Sequence, residues 1–256
     1  MRDPMSRTED MSTARAQIKA FFIAERGYWR PWTETMLLVS AGSVEQYARY
    51  AGYPARTGPL SERMVELIYV GLDASSSHLF ESGLHTHMKR ALEVGATEAD
   101  IFDVLHLVAV QGVASVGQAA EIVAELAGPG EQPAIDTQLQ ARIDKLAPAH
   151  ALTLASVARL DPGYAQVLLD FIEQGRPAKG LSAAERSLVQ LALHACFTAF
   201  NPGAIRQIVA TALSQGLTQA ELLQAIQLGA HLAVHGTALG AKVYQALATR
   251  DRPAAP

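Results

Sequence analysis

Residues Leu60–Ala127 recur as Leu181–Ala248 under one gapless shift of 121 residues. The shift pairs Leu60 with Leu181, Leu67 with Leu188, Leu72 with Leu193, Ala91 and Leu92 with Ala212 and Leu213, Gly95 with Gly216, Thr97 with Thr218 and Val113 with Val234. A repeat held this long constrains the fold more than composition does, because each copy must be a version of one supersecondary unit. The local signals within a copy are helical. Ser61 and Ser182 stand at N-cap positions, and Ser182 has Glu185 three residues on, the spacing of a reciprocal capping box. Thr97 with Asp100 and Thr218 with Glu221 repeat that device. Gly95 and Gly216 fall where the second helix should stop, since glycine enters the left-handed conformation without a Cβ penalty. Each copy therefore reads helix, loop, helix, tight turn, helix, helix, and no segment reads as a strand. The expected fold is all-α, built from duplicated helical-bundle units: a disordered tail over 1–14, a first unit over 15–130 and a second, degenerate unit over 131–256. AGPGEQPAIDTQ has linker composition and places the boundary near Gly128–Pro133.

Outside the repeat, Ile18, Phe21 and Phe22 at helical spacing predict a first helix from Ala14. Trp29 and Trp32 are read as sealing this N-terminal arm onto the core. A short helix is expected over Ser43–Tyr50, followed by a loop in GYPARTGP, and a further helix over Leu139–Leu160. The segment IFDVLHLVAV is apolar nearly all round and must be buried on most sides. With 49% hydrophobic and only 18% charged residues, the surface is lean for a lone subunit, and apolar faces shared between copies of the chain are expected. A formal charge of −4 with scattered Lys and Arg excludes the basic field that nucleic acid requires. The single cysteine, Cys196, excludes an internal disulfide and any Cys-x-x-Cys pair. The polar N-terminus and the charges and glycines within the apolar runs predict a cytoplasmic chain without a membrane partner.

The copies differ in their polar residues. His87 stands opposite Ile208, His106 opposite Gln227, Glu66 opposite Ser187 and Asp73 opposite His194, so chemistry is expected in the first copy. His87 lies beside the apolar line Leu84, Met88, Ala91 and Leu92, at the border of a buried face, where an imidazole can pass a proton in a partly dry pocket. His85 is about 200° of helix away from it. Glu62, Glu66, Tyr69 and Asp73 form one stripe, either a solvated face or a cleft wall from which Glu66 orients a histidine. His106 interrupts an apolar helix and must find a partner there. His78, with His85 and His87, has a spacing weak for zinc, and no metal or cofactor is expected. His231 and His235, one turn apart, are read as structural, and Cys196 as a small buried hydrophobe.

From ELIYVGLDASSSHLFESGLHTHMKRALEVGATEADIFDVLHLVAVQGVASVGQA the chain resembles the carboxymuconolactone decarboxylase family, which shares its fold with the alkylhydroperoxidase D-like proteins. The resemblance is carried by Glu66-Leu67-Ile68, by His87 with Ala91-Leu92 and Gly95-Ala96-Thr97, and by Val104-Leu105-His106 leading into Gly112-Val113. It implies helical units assembled as a ring, here a homotrimer of tandem chains. It also implies a lyase acting on a small carboxylated lactone or ring-cleavage product, with His87 as proton donor, Glu66 as its orienter and His85 or His106 as a polar contact. His78, Lys89 and Arg90 would contact substrate. The segment between Glu66 and the histidines is about two residues longer than the family pattern, so either His85 or His87 can be the matching imidazole. In the peroxidase branch a Cys-x-x-Cys pair precedes the histidine; those positions are Phe80 and Gly83 here. A cysteine-free peroxidase relative and a non-catalytic binder of small acids are the alternative functions.

Overall fold

The computed structural model describes residues 4–127, 134–146 and 148–250, and among them there is no strand. The helices in chain order are α1 (Pro4–Arg26), α2 (Pro31–Val39), α3 (Ala41–Thr57), α4 (Glu62–Ala74), α5 (Glu81–Glu93), α6 (Glu98–Val110), α7 (Gly112–Leu126), α8 (Thr137–Ile143), α9 (Pro148–Leu160), α10 (Pro162–Gln174), α11 (Ala183–Ala195), α12 (Pro202–Ser214), α13 (Gln219–Ala230) and α14 (Val234–Arg250). The shift that aligns the sequence also aligns helix ends, carrying α4 onto α11 and α5 onto α12 residue for residue. The capping signals behave as read. Ser61 caps α4, the Thr97–Asp100 and Ser182–Glu185 boxes close on themselves, and Gly95 and Gly216 adopt φ of 95° and 90°.

Three expectations are corrected. The tail is not a tail from residue 4 onward: α1 begins at Pro4 and contains no further proline or glycine before Arg26 to break it. α3 does not stop at Tyr50 but runs through Pro54, which sits in its last turns, buried, with Gly58 N–H bonded to its carbonyl. The helix expected over Leu139–Leu160 is two, α8 and α9, separated before Pro148, a residue suited to open a helix rather than to continue one. Gly128–Pro133 lie outside the described residues.

The chain divides into compact units at different places from the division near residue 130: one unit takes Met1–Gly58 with Ala230–Pro256, and the other takes Pro59–Gly229. The reason is that α4 and α6 both pack on α11, and α7 packs on α9. Helices of the two copies thus share one core, which local periodicity does not reveal.

In the smaller unit, Phe22 is wholly buried and meets Tyr28, Trp29 and Trp32 edge-on, with Leu37, Val44 and Ala48 completing the cluster. The tryptophans hold the N-terminal arm, as their size suggested. Between α13 and α14 the chain narrows to a 3-10 turn over His231–Ala233. His231 is therefore not on one continuous α-helix with His235; it is buried, 3.3 Å from Arg26 Nη2.

The larger unit is built around α4, which buries Leu67, Ile68 and Leu72 against α6 and α11. Gly71 permits that approach, since a Cβ there would meet Val104 at 3.2 Å and Val189 at 3.3 Å. Ion pairs tie the copies together. Arg63 reaches Asp100 at 2.8 Å and Glu185 at 2.5 Å. Burial pushes the Asp100 carboxyl upward, but the bonds from Arg63 and Thr97 outweigh it and hold it below the ordinary range. Together α6 and α7, Glu98–Leu126, are long and apolar enough to cross a membrane by composition. Their buried polar residues are matched from within the unit, however: Asp100 by Arg63, Asp103 by Arg186 and His106 by the Phe171 carbonyl. This is the pattern of a core helix.

Candidate active site

Glu66, Tyr69 and Asp73 lie at i, i+3 and i+7 on α4 and so share one face. That face turns toward α5, not to solvent. Tyr69 and Asp73 are buried, and Glu66 is largely covered. Only Glu62, at the exposed end of the stripe, remains at the surface, where it accepts from Arg90 at 2.8 Å. α5 supplies His87. Its Nδ1 is 2.7 Å from Glu66 Oε2, and because an ionised carboxylate only accepts, Nδ1 carries the proton and donates it. The other nitrogen, Nε2, is 4.0 Å from Asp73 Oδ2. The imidazole lies over the Tyr69 ring, with centroids 4.5 Å apart and planes inclined by 34°. One imidazole is thus fixed in tautomer by Glu66, in plane by Tyr69, and faces a second carboxylate across its free nitrogen.

The loop between α4 and α5 holds Asp73 in this position. Phe80 N–H donates to the Asp73 carbonyl at 2.9 Å, and Ser75 Oγ donates to the Leu72 carbonyl at 2.9 Å. A Cβ on Gly83 would lie 2.2 Å from Asp73 Oδ2 and 2.5 Å from a Phe80 ring carbon. Position 83 therefore admits no side chain beside the buried carboxylate. This disfavours Cys-x-x-Cys peroxidase chemistry on steric as well as chemical grounds, since a cysteine at position 83 would not fit. Cys196 supplies no substitute: it is buried, with Sγ 3.3 Å from Thr198 Oγ1.

Of the two candidate histidines it is His87 that contacts Glu66. His85 is exposed on the other side of α5. His106 is not brought to the pair either: it is buried against α10, where Nε2–H donates to the Phe171 carbonyl at 3.1 Å and the ring lies against Gly175. That makes it a core histidine, bonded through Nε2 while Nδ1 is buried without a partner. Lys89 and Arg90 are exposed and already paired, Lys89 with Glu93 at 3.9 Å and Arg90 with Glu62 and Glu93. Neither is held where it could meet a carboxylate beside His87 without first leaving its partner. His78 is half-buried, and desolvation lowers its pKa. It approaches Asp73, the two offering a ring nitrogen and a carboxylate oxygen within 4.8 Å of each other, donor types that suit a divalent cation. Sequence reasoning placed Tyr69 and Asp73 on the stripe but gave neither a role. The signal was their spacing from Glu66.

Residues 42–125 match the family model described as the carboxymuconolactone decarboxylase family. The match runs from within α3 to within α7 and includes Glu66, Tyr69, Asp73 and His87. No curated protein matches the sequence. Among solved structures, one from Burkholderia xenovorans LB400, provisionally assigned as a gamma-carboxymuconolactone decarboxylase subunit, is 22% identical with a TM-score of 0.82, over 93% of this chain and 98% of that chain. At that identity the likeness establishes the fold.

Proposed function

We propose that this chain, a member of the carboxymuconolactone decarboxylase family through residues 42–125, decarboxylates a small carboxylated lactone or related ring-cleavage product by proton transfer from His87. The observation that carries the reading is the 2.7 Å contact of His87 Nδ1 with Glu66. A histidine anchored this way presents Nε2 alone to a ligand. Breaking the bond between carbon and the departing carbon dioxide leaves an electron pair on that carbon. The Nε2–H of the imidazolium donates its proton to the carbon, and the neutral imidazole recovers a proton from water. Asp73 Oδ2 lies 4.0 Å from that Nε2. Glu66 and Asp73 together also disfavour a substrate carboxylate held nearby and not its neutral product, which helps the direction of reaction.

The test follows carbon dioxide release and lactone loss with the full chain and 4-carboxymuconolactone. Equimolar gas and lactone consumption is the expected outcome. Lactone recovered unchanged after prolonged incubation, while calorimetry still reports binding, would reduce the protein to a binder.

For assembly we propose a trimer. Its support is the unpartnered apolar face of α7, where Val116, Ile122, Val123 and Leu126 are all exposed. Sedimentation equilibrium should give three times 27.3 kDa, and Ile122→Glu with Val123→Glu should reduce it toward one chain. A wild-type mass of one chain at concentrations of about 10 µM, where a stable interface of standard size is well formed, removes the trimer.

A further inference from the structure

The larger unit contains a cavity with chemistry of its own, of about 790 Å³, within the range of small-molecule sites. It opens where the loops after α4 and α11 face each other, at the start of α7. Ser77 Oγ donates to Thr198 Oγ1 at 3.0 Å across it, and these residues are 121 apart in sequence. Leu79 and Phe200, related by the same shift, both line the cavity and are both exposed, at 72% and 66%. Corresponding loops of the two copies therefore form opposite walls.

The correspondence breaks at one wall residue. Where the first copy has Asp73, turned to His87, the second has His194, which lines this cavity. His194 is 5% exposed, and it lines the cavity. An imidazole at a cavity wall offers ring nitrogens that a ligand can bond in place of water. We propose that this cavity is a ligand site distinct from the Glu66–His87 pair, and that it takes a small uncharged ring compound bearing a hydroxyl, a phenol in the simplest case, whose O–H donates to His194.

The class of ligand follows from the walls. None of the lining residues is Asp, Glu, Lys or Arg, so a carboxylate or phosphate would lose its hydration with no counter-charge to replace it. Burial lowers the His194 pKa, which leaves a neutral ring with one donor and one acceptor. The neighbouring amides are already occupied: Gln118 and Asn201 bond to each other at 2.8 and 3.3 Å, and Gln111 Nε2 donates to the Leu193 carbonyl at 3.1 Å. They shape the wall and leave the imidazole, with the Ser76 and Ser115 hydroxyls, to meet a ligand. Leu79, Val108 and Phe200 supply apolar surface for a ring. Leu79 holds a φ of 45°, a left-handed conformation that leucine rarely accepts, and strain of this kind is retained where a side chain is needed in a fixed place.

Calorimetry on the full chain with phenol as probe tests the proposal. Saturable binding at one site per chain is expected, weakened about tenfold or more in His194→Leu by loss of a buried hydrogen bond. Benzoate at neutral pH should bind at least about tenfold more weakly than phenol, because its charge enters an uncharged cavity. Ser115→Phe, on the exposed part of the lining, should block the cavity while leaving the core untouched, which covers the case in which His194→Leu does not fold. His87→Gln should keep phenol affinity, separating this site from the proposed decarboxylation. The proposal is overturned by an absence of saturable phenol binding, by affinity unchanged in Ser115→Phe, by benzoate binding as tightly as phenol, or by loss of phenol binding in His87→Gln.

Discussion

Replacing His87 by glutamine is expected to slow carbon dioxide release by about two to four orders of magnitude, the usual contribution of a positioned proton donor, with much less change in the affinity for the lactone. Glutamine can still donate an amide hydrogen toward Glu66, so the packing of α5 on α4 is largely kept. What it cannot do is carry a transferable proton at the position of Nε2. Glu66→Gln is expected to slow the reaction less, because the imidazole remains and loses only its charged anchor at 2.7 Å. His85→Gln provides the internal control: the residue is exposed on the other side of the same helix, and its replacement should leave the rate within about twofold, as for a surface change away from the site. The ordering of the three variants is the diagnostic. If His87→Gln retains the wild-type rate, or if His85→Gln is the variant that fails, the proton donor has been misassigned and the mechanism falls with it.

How much of this was legible beforehand can be seen residue by residue. The caps at Ser61, Thr97, Ser182 and Thr218 and the stops at Gly95 and Gly216 are local devices: each needs only neighbours within a turn, and each was readable. Pro54 inside α3 and the helical start at Pro4 were not, because tertiary burial and an uninterrupted run of helix-tolerant residues override weak punctuation. Glu66 and His87 were nominated by helical faces and family resemblance, but periodicity alone left His85 open. Only the register between α4 and α5 brings one of them to Glu66, and nothing local in the intervening loop reveals that register. Asp73 and Tyr69 were visible as a stripe whose direction was ambiguous, since a polar line on a helix looks the same whether it faces water or an imidazole. The His194 cavity was hidden more completely. Its walls come from loops of both copies, and no window of the sequence contains both.

The same long-range pairing predicts the largest stability effect: Asp103→Ala should destabilise the protein by about 3–5 kcal/mol in urea unfolding, as for loss of one partner of a buried ion pair. Asp103 on α6 is 0% exposed. Its Oδ1 accepts from the Arg186 guanidinium of α11, and Oδ2 lies 3.6 Å from Arg176 Nε. The backbone closes over it at Gly180, where a Cβ would stand 2.4 Å from Oδ2. Burial pushes the Arg186 pKa down, and the Asp103 carboxylate opposes that shift while Arg176 adds to it. Removing the carboxylate therefore leaves a buried guanidinium beside a second positive charge. Replacing both partners with apolar residues, Asp103→Leu with Arg186→Met, removes the charge together with its desolvation penalty and should cost far less than the single change. That inequality separates an electrostatic link between the copies from simple packing. A double variant as unstable as Asp103→Ala would mean that the shape of this contact holds α6 to α11, and that its charges contribute little.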